Sequence, residues 1–318
     1  MIAVLDLRRQ LFSTVAIGGE VSVKDFEFQT ATTVDEAVSL LAARGDRARV
    51  LTGGTDLIVQ LRENLREADL VVDVKKIPEL MEYRLTEQGL LLGAGVPCYR
   101  LYGDEAICKA YPALVDSARI IGGWQIQSRA SIGGNLCNSS PAADSVPTLI
   151  AYDVVCHIAG PEGRRTVPVA EFCTAPGRNV LKRGELLTSL EFPAAGKHSS
   201  GAYLRFIPRN EMDIAVVGAG AWVQLDAKGE TIERSRLALA AVAPTPLFLA
   251  DASASLAGKP ATAETFKQAG EMASAIAKPI NDKRGTVEYR KHLAGVLVER
   301  SLAGAVRRAR GETWDPHE

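Results

Sequence analysis

Several things are scarce in this chain, and each scarcity excludes a class of function. Charge of one sign comes first: 37 Lys and Arg stand against 38 Asp and Glu, a formal net charge of −1, and no basic stripe with interleaved aromatics occurs. Without an electropositive face, nucleic acid is not an expected partner. Long apolar runs are also missing, so no segment of the sequence reaches the length that spans a bilayer. The four histidines, His157, His198, His292 and His317, lack H-x-x-x-H spacing. The five cysteines, Cys98, Cys108, Cys137, Cys156 and Cys173, form no C-x-x-C pair, so no metal site is expected. Isolated cysteines of this kind read as reduced, buried thiols of a cytoplasmic protein, and Cys137 as a small wall residue. An export signal is not expected either. Arg8-Arg9-Gln10-Leu11-Phe12 has the paired arginines, but the run after it is short, contains Gly18-Gly19 and is closed by Glu20. Residues 1–23 therefore read as a peripheral extension, and residues 311–318 as a tail.

What the chain does have is length and two glycine pairs in similar settings. At 318 residues it exceeds what one hydrophobic core usually organises, so two or three subdomains are expected. The pairs are Thr52-Gly53-Gly54-Thr55-Asp56-Leu57 and Ser131-Ile132-Gly133-Gly134-Asn135-Leu136. Either alone could be an ordinary turn. Together they offer two compact turns of unhindered backbone N–H groups flanked by hydroxyls, which suits the two halves of a pyrophosphate. After the second pair, residues 138–147 form a polar, proline-bounded run around Asp144 and are expected to be a long ordered loop.

The first glycine pair sits in a strand, glycine turn, helix, strand unit. A capping-box pattern, Thr33-Val34-Asp35-Glu36, opens a helix with Val34, Ala37, Val38 and Leu41 on one face, ended by Gly45. Strands are expected over 48–51 and 70–74, with a helix over 57–65 between them. Farther on, the pattern predicts a strand over 90–96 and helices over 99–106 and 112–121. Strands then follow over 154–159, 166–169 and 186–192. Beyond a linker at 193–200, strands over 202–206, 215–225 and 237–242 precede helices over 263–277 and 286–308, which points to a separate α+β domain. Gly93-x-Gly95 and Gly218-x-Gly220 fail as Rossmann fingerprints and read as close-packing positions in strands.

Beyond these local readings, Thr52 to Leu57, Gly122-Gly123-Trp124-Gln125-Ile126-Gln127-Ser128-Arg129-Ala130-Ser131-Ile132-Gly133-Gly134-Asn135-Leu136, Asp144 and Gly184-Glu185-Leu186-Leu187 resemble the FAD-binding medium subunit of molybdenum hydroxylases. That family includes the carbon monoxide dehydrogenase flavoprotein and the flavin domain of xanthine dehydrogenase. The resemblance implies an α+β protein. A two-part FAD-binding fold of the p-cresol methylhydroxylase type would occupy residues 24–196, divided near 75. A C-terminal domain with a three-stranded antiparallel sheet and helices would occupy 197–310. It also implies one subunit of three: a large partner with molybdopterin, a small partner with two-iron two-sulfur clusters, and a dimer of such heterotrimers. Electrons would leave the flavin for NAD, a quinone or another acceptor, and no catalytic residue is expected in this chain.

Carried over by position, Thr52, Gly53, Gly54, Thr55, Asp56 and Leu57 with Ser131, Ile132, Gly133, Gly134 and Asn135 would hold the pyrophosphate and adjoining ribose. Asp144 would accept from cofactor hydroxyls, unless it merely caps a helix. Ile121 and Leu187 would wall the pocket. Arg205 would balance charge on the reduced ring, and Tyr203 would cover a flavin face or else lie in the core. Compared with a branch resembling 4-hydroxybenzoyl-CoA reductase, no cysteine-bearing insertion follows Asn135, so no cluster is expected here. Nor is a His or Cys placed for covalent attachment, so FAD should bind non-covalently. Two other readings stay open: a self-contained flavin oxidase or reductase of the same fold, and a non-catalytic nucleotide-binding scaffold.

Overall fold

Three layers of structure carry the chain from one sheet to the next, and a computed structural model describes them for residues 23–209 and 211–316. The expected extension, apart from residue 23, lies outside the described residues, as does His317.

The first unit is a three-stranded parallel sheet of β1 (Glu27–Thr30), β2 (Ala48–Leu51) and β3 (Leu70–Asp73), ordered β1-β3-β2. Helix α1 (Val34–Arg44) links β1 to β2, and α2 (Leu57–Arg62) links β2 to β3. The start of α1 follows from its sequence: Thr33 Oγ1 accepts the Glu36 N–H at 3.2 Å. The Glu36 carboxylate reaches the N–H of Thr32, one residue earlier than a regular capping box. Val34, Ala37, Val38 and Leu41 are buried against the sheet as expected. Helix α2 stops three residues sooner than the pattern suggested, and Asn64 turns the chain at a φ of 54°.

The second unit contains α3 (Pro78–Met81), β4 (Tyr83–Thr86), β5 (Gly89–Gly93), α4 (Cys98–Tyr102), α5 (Glu105–Ala110), α6 (Pro112–Ala118), α7 (Trp124–Gln127), α8 (Ile132–Asn138) and α9 (Ser145–Ala151). It continues through β6 (Val155–Gly160), β7 (Gly163–Pro168), the small hairpin β8 (Cys173–Ala175) and β9 (Arg178–Asn179), and β10 (Leu186–Pro193). Five of its strands form an antiparallel sheet ordered β4-β5-β10-β6-β7. Under it, Tyr111 meets Tyr152 and Phe192 edge-on, with centroids 5.5 and 5.4 Å away.

Two expectations are corrected here. The single helix over 99–106 is broken at Gly103, because the Asp104 carboxylate caps a new helix by accepting the N–H groups of Ala106 and Ile107. Residues 138–147 are not one long loop, since only 139–144 separate α8 from α9. Pro147 lies in the first turn of α9, where its missing N–H has no intrahelical role; it is a helix-start residue, not a boundary.

The third unit holds β11 (Ser199–Phe206), β12 (Val217–Leu225), β13 (Ile232–Ala240) and β14 (Leu247–Phe248), covered by α10 (Ala250–Ser255), α11 (Ala263–Ile276) and α12 (Val287–Ala309). Its antiparallel sheet has four strands, not three. The extra edge strand is only two residues long, too short for an alternating pattern to register. Gly220 is required where β12 crosses α9, because a Cβ there would meet Pro147 backbone atoms at 2.8 Å. An enclosed ion pair fastens this unit to the second: Arg308 donates to both carboxylate oxygens of Asp116, at 2.6 and 2.9 Å. Asp116 also accepts the Tyr203 N–H at 3.1 Å, which anchors β11 at the same point.

Candidate functional site: a cleft gripped by two glycine segments

The two glycine segments meet. Arg129 Nε donates to Gly53 O at 3.4 Å, and a Cβ on Gly53 would lie 2.1 Å from Arg129 O. Glycine at 53 is thus what lets the first segment lie flat against the second. Asn138 completes the seam, donating to Asp56 Oδ1 at 3.2 Å while accepting from Gln60 Nε2 at 2.9 Å. Two subdomains are joined across one floor.

The second segment differs locally from the expected turn. Ser131 is the N-cap of α8, and Gly133 and Gly134 lie within its first turn, with Ser131 Oγ accepting the Gly134 N–H at 3.0 Å. The leading N–H groups of a helix have no intrahelical acceptor, so the donors expected of a turn are supplied by a helix start. Gly133 is packed shut, since a Cβ would reach Ala94 O at 2.5 Å. Gly134 is the open one: a Cβ would stand 3.0 Å from Ser131 Oγ and 3.5 Å from Thr52 Oγ1, in the space a ligand would use.

That space is a cleft of about 510 Å³, within the range of small-molecule sites. Of the residues singled out from the sequence, Thr52, Gly53, Gly54, Thr55, Asp56, Leu57, Ile121, Ser131, Gly133, Gly134, Asn135, Asp144 and Leu187 line it. Ile132 turns inward and is buried in the core. Tyr203 and Arg205 do not line the cleft; they line a separate cavity of about 260 Å³. They stand behind Asp144, and their link to the cleft runs through its carboxylate.

Asp144 occupies the N-cap position of α9 but makes no side-chain cap bond. Its Oδ1 accepts from Tyr203 Oη at 3.0 Å and its Oδ2 from Arg205 Nη1 at 2.7 Å. Burial pushes its pKa up to about 6, against the opposing pull of Arg205 and Tyr203. Asn135 fixes the start of the same helix, its Oδ1 accepting from Ser145 N and Oγ at 3.2 and 2.7 Å. Asp56, on the other wall, is also raised by burial. Cys137 lines the cleft as a wall residue, and burial pushes its thiol up to about 12, so it stays protonated.

Sequence reasoning missed other lining residues, among them Arg49, Arg66, Asn179, Leu181 and Ile214. Arg49 left a signal, a charged residue inside a short apolar strand. Asp213 and Ile214 left none, since a loop of the third unit brings them to the rim. Arg49 also bears on what the cleft can hold, because its Nε is buried without a hydrogen-bond partner. An unpaired cationic donor, hydroxyl donors and an open glycine face fit an anionic nucleotide cofactor. Among the described residues, no group of three or more His, Cys, Asp or Glu is arranged for a metal. No helix among them is long and apolar enough to cross a membrane.

Known proteins carry the same architecture. The family described as "FAD binding domain in molybdopterin dehydrogenase" matches residues 24–195, and the "CO dehydrogenase flavoprotein C-terminal domain" matches 202–305. A xanthine dehydrogenase FAD-binding subunit of Escherichia coli is 32% identical over 287 residues, covering 90% of this chain and 97% of the relative. The carbon monoxide dehydrogenase medium chain of Hydrogenophaga pseudoflava is 31% identical over 280 residues, covering 88% and 96%. Among solved structures, carbon monoxide dehydrogenase from Oligotropha carboxidovorans superimposes with a TM-score of 0.85 at 28% identity, covering 89% of this chain and 98% of that one. The chain belongs to the family of FAD-binding subunits of molybdopterin-dependent dehydrogenases.

Proposed function

We propose that this chain is the electron-transfer flavoprotein of a cytoplasmic molybdenum hydroxylase. It would take electrons from the iron-sulfur clusters of a small partner subunit, themselves fed by a large molybdopterin-bearing one, and pass them to NAD, a quinone or another acceptor. One observation carries the reading: glycine segments from two subdomains are seamed together at Gly53 and Arg129, with the open face of Gly134 between two hydroxyls. The FAD unit is taken as 24–196 and the C-terminal unit as 197–310.

In this reading the hydroxyls of Thr52, Thr55 and Ser131 and the glycine N–H groups hold the pyrophosphate, while Leu57, Ile121 and Leu187 exclude water. Asp144 keeps a free lone pair on each carboxylate oxygen after accepting from Tyr203 and Arg205, so it can also accept a cofactor hydroxyl. Tyr203 and Arg205 then orient and charge-balance Asp144 from behind. Bound FAD would supply a centre that accepts electrons singly and releases them singly or in pairs. The protonated Cys137 thiol favours non-covalent binding.

Purified full-length protein should carry a single FAD that denaturation releases, and Gly54→Val with Gly134→Val should remove it. A colourless wild-type protein indifferent to added FAD would refute the assignment. Co-purification with the two partners, and flavin reduction by substrate only in their presence, tests the subunit role; reduction in the isolated chain would favour the self-contained enzyme.

A further inference from the structure

Three methionines fall among the described residues, Met81, Met212 and Met272, and their sulfurs are not alike. Met272 is half-buried, and Ser255 Oγ donates to its Sδ at 3.5 Å. Met81 is half-buried against Gly95, where a Cβ would stand 2.8 Å from its Sδ. Met212 is 55% exposed. Its side chain reaches from the third unit to the second and lies on Gly123, where a Cβ would stand 3.3 Å from Sδ and 3.4 Å from Cγ. This contact is at the mouth of the cleft, since Gly122 on one side and Asp213 and Ile214 on the other line it.

The backbone is bent to put the sulfur there. Met212 has a φ of 53°, a left-handed conformation. In a residue with a side chain it costs roughly 1 to 3 kcal/mol and persists only where neighbours impose it. Those neighbours are at hand. The Asp213 carboxylate accepts from Ile214 N at 2.8 Å and from Arg209 Nε at 3.0 Å, and Arg205 Nη1 donates to the Asp213 carbonyl at 3.4 Å. A thioether is a flexible apolar group well suited to cover the bare backbone of Gly123. It is also a group that peroxide oxidises, and oxidation makes it polar.

We propose that Met212 is a modification site at the mouth of the cleft: peroxide formed when the bound cofactor gives its electrons to oxygen converts Met212 to the sulfoxide, which loosens the contact with Gly123 and speeds cofactor release. The assignment rests on the flavin reading above. Two electrons and two protons leave the reduced cofactor for O2, giving H2O2. The O–O bond of the peroxide then breaks as an S–O bond forms, the sulfur loses two electrons, and water leaves. A sulfoxide reductase restores the thioether. The sulfoxide oxygen is a polar acceptor with no donor to meet it in the contact with Gly123, so the oxidised side chain favours water. Met81 and Met272 are set apart by burial, and Met272 also by the hydrogen bond its sulfur already accepts.

The test has two arms. In the first, FAD-loaded full-length protein is reduced under argon, freed of reductant and opened to air with catalase in solution, over several cycles. In the second, cofactor-free protein is treated with dilute H2O2. Peptide mass spectrometry reads the sulfoxide at each methionine. Met212 should be oxidised several-fold faster than Met81 and Met272 in both arms, and in the first arm despite catalase, because the peroxide is made beside it. FAD release, followed by the rise in flavin fluorescence on dilution, should be several-fold faster from the oxidised wild type. Met212→Leu keeps an apolar side chain of similar volume on Gly123 and should release FAD at the unoxidised rate before and after peroxide. Oxidation of Met81 or Met272 as readily as Met212, complete protection of Met212 by catalase, or unchanged FAD release from the Met212 sulfoxide would each overturn the assignment while leaving the flavin reading intact. A wild-type protein that takes up no FAD would overturn both.

Discussion

Arg205 Nη1 stands 2.7 Å from Asp144 Oδ2, with 7% and 11% of the two side chains exposed, so the cleft has an ion pair built into its wall. Burial of the carboxylate outweighs the attraction of its partner and lifts Asp144 from its ordinary 3.8 to about 6. An acid whose native pKa exceeds its unfolded value favours the folded state while protonated. Its contribution is therefore complete below pH 4 and lost as the pH rises through 6. Two pKa units correspond to about 3 kcal/mol. Urea titrations of cofactor-free wild type and Asp144→Asn should show the wild type's advantage shrinking by about that amount between pH 4 and 7. A constant or growing advantage would mean that the pair favours the charged carboxylate. Arg205→Met should move the Asp144 titration higher still, because Arg205 is the strongest influence holding it down.

Gly53 and Gly134 belong to the same constellation but face different neighbours. At Gly53 a Cβ would collide with the Arg129 carbonyl, a backbone atom that cannot step aside. At Gly134 it would stand just within reach of Ser131 Oγ, on the cleft side. Gly53→Ala should therefore lower stability by about 1 to 3 kcal/mol, as overpacking does, and lose FAD as the seam opens. Gly134→Ala should weaken FAD with little change in the urea midpoint. The two measurements, made on both variants, separate a seam residue from a lining residue. Equal stability losses would contradict that division.

How much of this could be read from the sequence depends on how far each signal travels along the chain. The glycine segments, the α1 cap and the strands into and out of the first glycine pair are local patterns, and they appear where the residues put them. Resemblance, not periodicity, brought Asp144, Ile121 and Leu187 to the cleft. Strand β1 escaped because none of its four residues is buried and they lack an apolar alternation. Helix α9 escaped because Pro147 looked like a boundary. The separation of Tyr203 and Arg205 from the cleft was invisible for another reason: it depends on which face of β11 meets α9, a matter of tertiary register.

The ion pair between Arg308 and Asp116 lies 192 positions apart in sequence and joins α12 to α6. Both side chains are largely enclosed. Removing one partner strands the other, at a cost of about 3 to 5 kcal/mol. Arg308→Ala should lower the unfolding free energy by that order, and Arg308→Lys should recover little, because an ammonium cannot span both oxygens. Denaturant titration checks both. Restoration by Lys to wild-type stability would show that charge alone, without the two-pronged geometry, fastens the third unit.

Gly218 offers the sharpest test of how packing reaches the cleft. A Cβ at this position would lie 2.4 Å from Tyr203 Oη but 3.2 Å from Cζ, so the clash is chiefly with the hydroxyl that donates to Asp144. Tyr203 is only 1% exposed, and a ring that swings away from the added methyl gives up its hydrogen bond to Asp144. Gly218→Ala should therefore destabilise by about 1 to 3 kcal/mol. Tyr203→Phe alone removes the donor to Asp144 Oδ1 and should cost a similar amount. Combined, the two should cost clearly less than their sum, because phenylalanine deletes the atom that alanine strikes. A double-mutant cycle in urea reads this directly. Strict additivity would mean that β12 shifts as a unit when Gly218 is replaced, and that the glycine is not what keeps Tyr203 in hydrogen-bonding reach of Asp144.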